Sequence, residues 1–182
     1  MSIASPEDVL RFWFDETKPA QHFKKDSAFD REIARRFGAT HRAACACELF
    51  DWRQDARGRL AEIIVLDQFS RNIHRDSALA FAADPLALGL AQDAITTGAD
   101  AQLHPQQRGF LYMPFMHSES PLIHRQAEKL FRAAGLADNL KFELRHKAII
   151  DRFGRYPHRN ELLGRASTAE ELAFLAQPGS GF

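Results

Sequence analysis

Apolar residues recur along this chain every three or four positions, and the interruptions fall at prolines, glycines and short polar side chains, the spacing of amphipathic helices joined by brief turns. Ser5-Pro6-Glu7-Asp8 is a helix start: a Ser cap, Pro at the first helical position, and acids facing the helix dipole. Val9 pairs with Trp13 and Leu10 with Phe14 on the helix it opens, and Pro19 ends that helix. The triplet Phe12-Trp13-Phe14 reads as core. Ile33, Phe37, Thr40, Ala44 and Cys47 carry the next helix period, opposite a solvated face of Arg31, Glu32, Arg35, Arg36 and Arg42. A polar connection from Leu49 to Gly58 leads into a helix over about 59–70. Its Ile63-Ile64-Val65-Leu66 is apolar all round and predicts a central rod covered on most sides.

Asp84-Pro85 repeats the cap-and-proline start, and Gly98 closes the helix that follows. Pro114, inside the run GFLYMPFMHSE, predicts a kink or break near Tyr112 or Met113, with His117-Ser118-Glu119 just beyond it. From Pro121 to Ala134 the pattern is plainly amphipathic, with Ile123, Ala127, Leu130 and Phe131 inward and Gly135-Leu136 turning back on Phe131. Asp138 is placed to cap the next helix, whose Leu140, Leu144, Ala148, Ile149 and Phe153 follow helix period. Ser167-Thr168-Ala169-Glu170 reads as a capping box for the last. No segment alternates with period two for long enough to make a strand. The expectation is an all-α chain of seven to nine helices, residues 1–182 forming a single domain, arranged as a bundle or as a helical array.

One stretch occurs twice. LDQFSRNIHRD, residues 66–76, returns as IDRFGRYPHRN, residues 150–160, inside a longer echo of about 58–76 and 142–160. The echo keeps Asp67/Asp151, Phe69/Phe153, Arg71/Arg155, His74/His158 and Arg75/Arg159 in one register. Arg71 and Arg155 lie four past Asp67 and Asp151, so an ion pair on the last helical turn accounts for one Arg in each copy. It does not account for the second Arg and the His beside it. Planar guanidinium groups presented with imidazole suit a carboxylate or phosphate.

The predicted binding set is therefore Arg71, His74, Arg75, Arg155, His158 and Arg159, with His117 and Glu119 nearby and Asp67 and Asp151 orienting the arginines from behind. Its expected ligand is a small acidic molecule or an acidic peptide end. An alternative is a hydrolase or transferase using His74, His117 or His158 as acid or base, with Glu119 as partner. A third reading is a scaffold for another protein, marked by an exposed apolar patch at Phe110 to Phe115.

Composition narrows the classes. Lys plus Arg equals Asp plus Glu, 24 each, so no overall field draws nucleic acid or a membrane surface, and neither is an expected partner. No apolar run approaches the roughly 18 residues of a membrane span, and MSIASPEDVLRFWF lacks the basic and apolar regions of a secretory signal. The expected location is the cytoplasm. Cys45 and Cys47 are too close to staple a fold and read as small buried residues. Fifteen Phe suit a fold built from many helix contacts. No glycine-rich phosphate loop occurs. His117-Ser118-Glu119 is an H-x-E without the P-C-x-x-C that would complete a zinc deaminase site, and H-E-x-x-H is absent. No cofactor and no metal are predicted. Ser70 and Ser118 sit in neither G-x-S-x-G nor S-x-x-K.

Four ordered motifs carry a resemblance: FWFDE, LAEIIVLDQFSRNIHRDSALAFAAD, FLYMPFMHSE and AIIDRFGRYPHRNELLGRASTAEELAFL. Together, from about Val9 to Leu175, they resemble the bacterial domain of unknown function 924 family. The resemblance implies an all-α fold similar to the tetratricopeptide-repeat superfamily, in a right-handed helical array, and implies no established activity. Ser70 and Tyr156 stand where Pro and Phe are expected in that family. Likeness to a superfamily of scaffolds is an analogy for function.

Overall fold

The structure, a computed structural model, describes residues 2–180. The class is all-α: among the described residues there is no strand. The described residues form nine α-helical segments: α1 (Pro6–Arg11), α2 (Ser27–Cys45), α3 (Ala56–Ile64), α4 (Ser70–Ile73), α5 (Asp84–Thr96), α6 (Pro105–Met116), α7 (Pro121–Ala133), α8 (Ala137–Phe153) and α9 (Ala169–Leu175). A π-helical turn, Val65–Phe69, joins α3 to α4, so residues 56–73 are one rod and the described chain has eight helices. It divides into two compact units. The first holds the residues up to Arg75 and Leu79–Pro114; the second holds Asp76–Ala78 and the residues from Phe115 onward.

In the first unit α1 packs on α3, α2 on α4 and the π-helical turn, and α5 on α3. Ile63 to Leu66 are fully buried, as an apolar rod requires. The N-terminal aromatics are core: Phe12, Phe37 and Phe69 lie with ring centroids 4.9–6.1 Å apart, and Trp13 stacks on His22 at 4.3 Å. Ser5 and Asp8 form the capping box that starts α1.

Several local expectations shift. α6 runs through Pro114 to Met116, because the proline falls in its last turn, where it forfeits one backbone bond and no helix follows to be broken. Asp84 is the first residue of α5, not its cap; its carboxylate is taken by Arg71. α8 starts at Ala137 with Leu136 at the cap position, so Asp138 lies inside the first turn. The last capping box is Thr168 with Glu171, one residue later than Ser167 with Glu170. Cys47 lies beyond the end of α2 at φ 58°, and both cysteines are free and exposed rather than buried. Residues 110–116 are all buried, so the apolar patch that would mark a scaffold there is absent. Ala78–Thr96 forms a helical stretch of 19 residues with mean hydropathy 1.3, long and apolar enough to cross a membrane, against the expectation from the sequence. Its Asp84 is held by Arg71, and Ala87, Ala91 and Ala94 on its small face are buried.

In the second unit α7 and α8 form a helical hairpin turned at Gly135, where Leu136 N–H donates to Phe131 O, the back-bond expected from the sequence. The inward stripe of α8 is Glu143, His146, Ile149 and Ile150; Leu144, expected inside, is 43% exposed. Ile149, Ile150 and Tyr156 form a small core against which Phe153 and Phe174 pack.

Candidate functional site

The first copy of the echoed motif, up to Arg75, lies at the end of the 56–73 rod, in the first unit. The π-helical turn there widens the helix, and two side chains occupy its carbonyls: Ser70 O–H donates to Leu66 O at 2.5 Å, and Arg71 Nη1 to Asp67 O at 2.6 Å. Arg71 also meets Asp67 Oδ1 at 3.3 Å, the expected tie, and grips Asp84 with both Nη groups at 2.9 and 3.0 Å. Asp67 is fully buried. Arg75 grips Asp30 on α2, whose Oδ1 also accepts from Asn72 at 2.8 Å. Both arginines of this copy are thus engaged by carboxylates of their own unit. His74 lies 5.2 Å from the ring of His41. Because the Ser70 proton goes to Leu66, His41 Nε2–H must donate to Ser70 Oγ, 2.8 Å away, and cannot serve as its base.

The second copy lies in the second unit and follows a different path, for a local reason. Gly154 stands where the first copy has Ser70, and at φ 68° it ends α8 in the left-handed region that glycine favours. Arg155 therefore leaves the helix and does not meet Asp151. It grips Glu171 of α9 at 2.7 and 2.8 Å and donates to Ala166 O at 2.8 Å. Asp151 pairs with Lys147 on the solvent side and orients no arginine. Arg159 is buried, its guanidinium carbon 4.5 Å above the Tyr156 ring.

Glu119 accepts both Nη groups of Arg165 at 2.6 and 2.9 Å and the Tyr156 N–H at 2.8 Å. Burial pushes its carboxyl up, but Arg165, the Tyr156 amide and the charge of Arg159 outweigh burial and hold it below the usual carboxylate range. It clamps the segment after α6 to the second motif.

His158 borders an open cavity of about 410 Å³, together with Pro157, Glu161, Arg165, Ser167, Leu172 and Leu175. Four of the five Arg165 donors are used, by Asn160 Oδ1, the two Glu119 oxygens and Tyr156 O, which leaves one N–H on Nη1. Ser167 Oγ accepts from Asn160 Nδ2 at 3.0 Å, so its own proton is available to a neighbour. The six arginines and histidines expected to line one groove are divided, three in each unit, and of these His158 lines this cavity. Among the described residues no group of three or more His, Cys, Asp or Glu is placed to hold a metal ion.

The family described as bacterial protein of unknown function (DUF924) matches residues 9–179. The chain belongs to the DUF924 family. A solved structure, that of the protein of unknown function ATU0120 from Agrobacterium tumefaciens, is similar to it: 38% identity, a TM-score of 0.89, and coverage of 94% of this chain and 96% of that one. No curated protein matches the chain in sequence.

Two polar residues buried inside this DUF924 chain were not foreseen. His124 of α7 and Glu143 of α8 are fully buried, with Nδ1 and Oε1 2.7 Å apart. A His–carboxylate pair is the inner half of a catalytic triad. Here, however, the outer nitrogen, Nε2, donates to Ser118 O at 2.8 Å and lies 3.2 Å from the Tyr156 hydroxyl, which itself donates to Met116 O. The pair locks the α7–α8 hairpin to the segment before it. Burial pushes the Glu143 carboxyl up against the pull of His124. A signal for it existed: Glu143, His146 and Ile150 fall at i, i+3 and i+7, an inward stripe.

Burial, together with the fields of His117, His124 and His158, lowers His146 to about 3, and burial with the fields of His74 and Arg42 lowers His41 to about 4. Both imidazoles stay neutral in the folded chain and gain a proton near pH 6.5 on unfolding. Stability should therefore be full above pH 6.5 and fall as pH drops toward these lowered values. For His146 alone this is roughly 2 kcal/mol by pH 5, while Glu143, raised in the fold, works in the opposite sense. Urea midpoints at pH 7.5 and 5.0 measure it: the midpoint should fall, His146→Leu should remove part of the fall, and a flat profile in wild type would refute buried neutral imidazoles.

Proposed function

We propose that this is a cytoplasmic helical protein that binds a small monoanionic ligand, a carboxylate or phosphate diester on a short apolar body, in the cavity beside His158. The observation that carries the reading is the lining itself. One Arg165 N–H and the Ser167 hydroxyl are donors with no other use, His158 stands next to them, and Pro157, Leu172 and Leu175 supply an apolar wall. About 410 Å³ lies within the range of small-ligand pockets, which pair mostly apolar linings with a few placed polar groups. Glu161 on the same rim disfavours a second negative charge on the ligand. This narrows the expectation of a duplicated Arg/His site to one unit and to His158, with Arg165 and Ser167 in place of the echoed arginines. The α7–α8 hairpin is the kind of helix pair that tetratricopeptide-like arrays stack, and such an array is the arrangement we favour.

A thermal-shift screen tests the reading. At concentrations about 100-fold above Kd a ligand of this class should raise Tm by a few degrees. Butyrate or a dialkyl phosphate, each carrying one charge, should do so where the dianion succinate does not. Ser167→Ala and Leu172→Trp should each abolish the shift; Leu172 is 58% exposed, so tryptophan there fills the cavity without disturbing the core. Shifts that survive both substitutions, or that favour succinate, would refute the assignment.

A further inference from the structure

In the first unit the end of α2 carries two exposed thiols, Cys45 and Cys47, on either side of Ala46. The chain turns there as it does after α7 at Gly135: Cys47 N–H donates to Ala44 O and Glu48 N–H to Ala43 O, each at 2.9 Å. After α7 the turning residue is glycine, whereas Cys47 holds φ 58°, a left-handed conformation that strains a residue with a Cβ. Glycine would close the helix with less strain, so the backbone gives no reason for a thiol here. The two sulfurs have unequal surroundings. The Arg53 guanidinium, held through Nε and Nη2 by the fully buried Glu62 at 2.7 and 2.6 Å, also hydrogen-bonds the Cys47 sulfur. Cys45 Sγ rests against the His41 ring one turn back, 3.7 Å from Nε2 and 3.9 Å from Nδ1. Burial, and then the charge of Cys47, push the Cys45 thiol up. Ala46, at φ −86° and ψ 4°, keeps the two flanking Cα atoms about 5.5 Å apart, inside the range of roughly 4.4–6.8 Å that a disulfide spans.

We propose that Cys47 and Cys45 are a hydroperoxide-reactive dithiol, oxidised to a reversible Cys45–Cys47 disulfide. Cys47 attacks as the thiolate: an S–O bond forms, the peroxide O–O bond breaks, and hydroxide leaves beside Arg53, whose positive charge steadies it. That hydroxide recovers from solvent the proton that Cys47 gave up. Cys45 then attacks the Cys47 sulfur; an S–S bond forms, the S–O bond breaks, and the departing hydroxide takes the Cys45 proton and leaves as water. Two thiols are oxidised, one hydroperoxide is reduced, and two waters result. An accessible thiol with a cation at its sulfur and a resolving cysteine two residues away is the arrangement of a redox sensor. Among the described residues no third ligand joins the pair in a metal-holding group, which favours thiol chemistry over a metal clip.

Trypsin isolates the site on one peptide, since Arg42 and Arg53 bound residues 43–53 and no methionine lies among them to take up oxygen. The full chain, treated with a small excess of hydrogen peroxide and alkylated under denaturing conditions, should yield this peptide two hydrogens lighter and without alkyl groups. Dithiothreitol before alkylation should restore both thiols. Cys45→Ser should stop at a sulfenic acid on Cys47, one oxygen heavier and captured by dimedone. In Cys47→Ser the remaining Cys45 should react at least about tenfold more slowly than Cys47 does in Cys45→Ser. Both sites are exposed, so circular dichroism should show unchanged helix content in each variant. Two alkylated thiols after peroxide, equal rates in the two single variants, or a disulfide between two chains in place of the internal one would each overturn the proposal.

Discussion

Arg71→Ala should cost the chain about 3–5 kcal/mol of stability, because it strands buried negative charge. Asp67 is fully buried and Asp84 largely so, and both take the Arg71 guanidinium as partner. The substitution also removes the donor to the Asp67 carbonyl in the π-helical turn. Arg71→Lys should recover only part of the loss, since an ammonium cannot reproduce the two-pronged grip on Asp84. Urea unfolding at pH 7 measures both. An Arg71→Ala protein within about 1 kcal/mol of wild type would mean that the arginine is held ready for something outside the fold.

Gly58→Ala should be at least as damaging, at about 3 kcal/mol or more, for a purely steric reason. A Cβ at Gly58 would stand 1.9 Å from the Trp52 carbonyl oxygen and 2.8 Å from its carbon. Both obstacles are backbone, and the 3₁₀ turn Phe50–Gln54 that carries them cannot retreat without releasing Asp55, whose carboxylate caps α3 through Gly58 N–H at 2.8 Å. Arg53 in the same turn holds the fully buried Glu62 at 2.6 and 2.7 Å, so moving the turn also threatens a buried ion pair. Expression level and the thermal midpoint report the outcome; a well-folded Gly58→Ala chain with an unchanged midpoint would mean that the turn yields.

The helices were legible because each is written in period and punctuation. Ser5-Pro6, Pro19, Gly98 and the Gly135-Leu136 turn fell where the structure has them, and Ile63 to Leu66 announced the central rod. Two helix starts differ by contests for a side chain. Asp84 carries the sequence signature of a cap, but its carboxylate goes to Arg71; in the last helix Glu171 accepts the Thr168 N–H while Arg155 grips it, and Glu170 pairs with Arg152. Such contests are between residues far apart in sequence, and local pattern does not decide them.

The echo was legible as a string but not as geometry. Register made Asp151–Arg155 equivalent to Asp67–Arg71, yet the substitution of Gly154 for Ser70 was visible in the same alignment. A glycine just past an apolar helix marks a C-terminus. Read that way, it places Arg155 outside the helix and frees it for Glu171. The carboxylates that absorb the arginines, Asp30, Asp84 and Glu171, carry no mark in the sequence, because any solvated acid would look the same. The surplus His and Arg of the two copies also part company: Arg75 goes to Asp30, Arg159 to the face of Tyr156, and His158 to the rim of a cavity.

In the proposed reading the echoed arginines serve the fold, and an anion binds in the cavity beside His158. Amide chemical shifts of the ¹⁵N-labelled chain, titrated with butyrate and with a dialkyl phosphate, test this division of labour. Saturable changes confined to residues 157–167 and 172–175 are expected, with residues 71–75 unmoved. Saturable changes at 71–75, with none at 157–167, would contradict it.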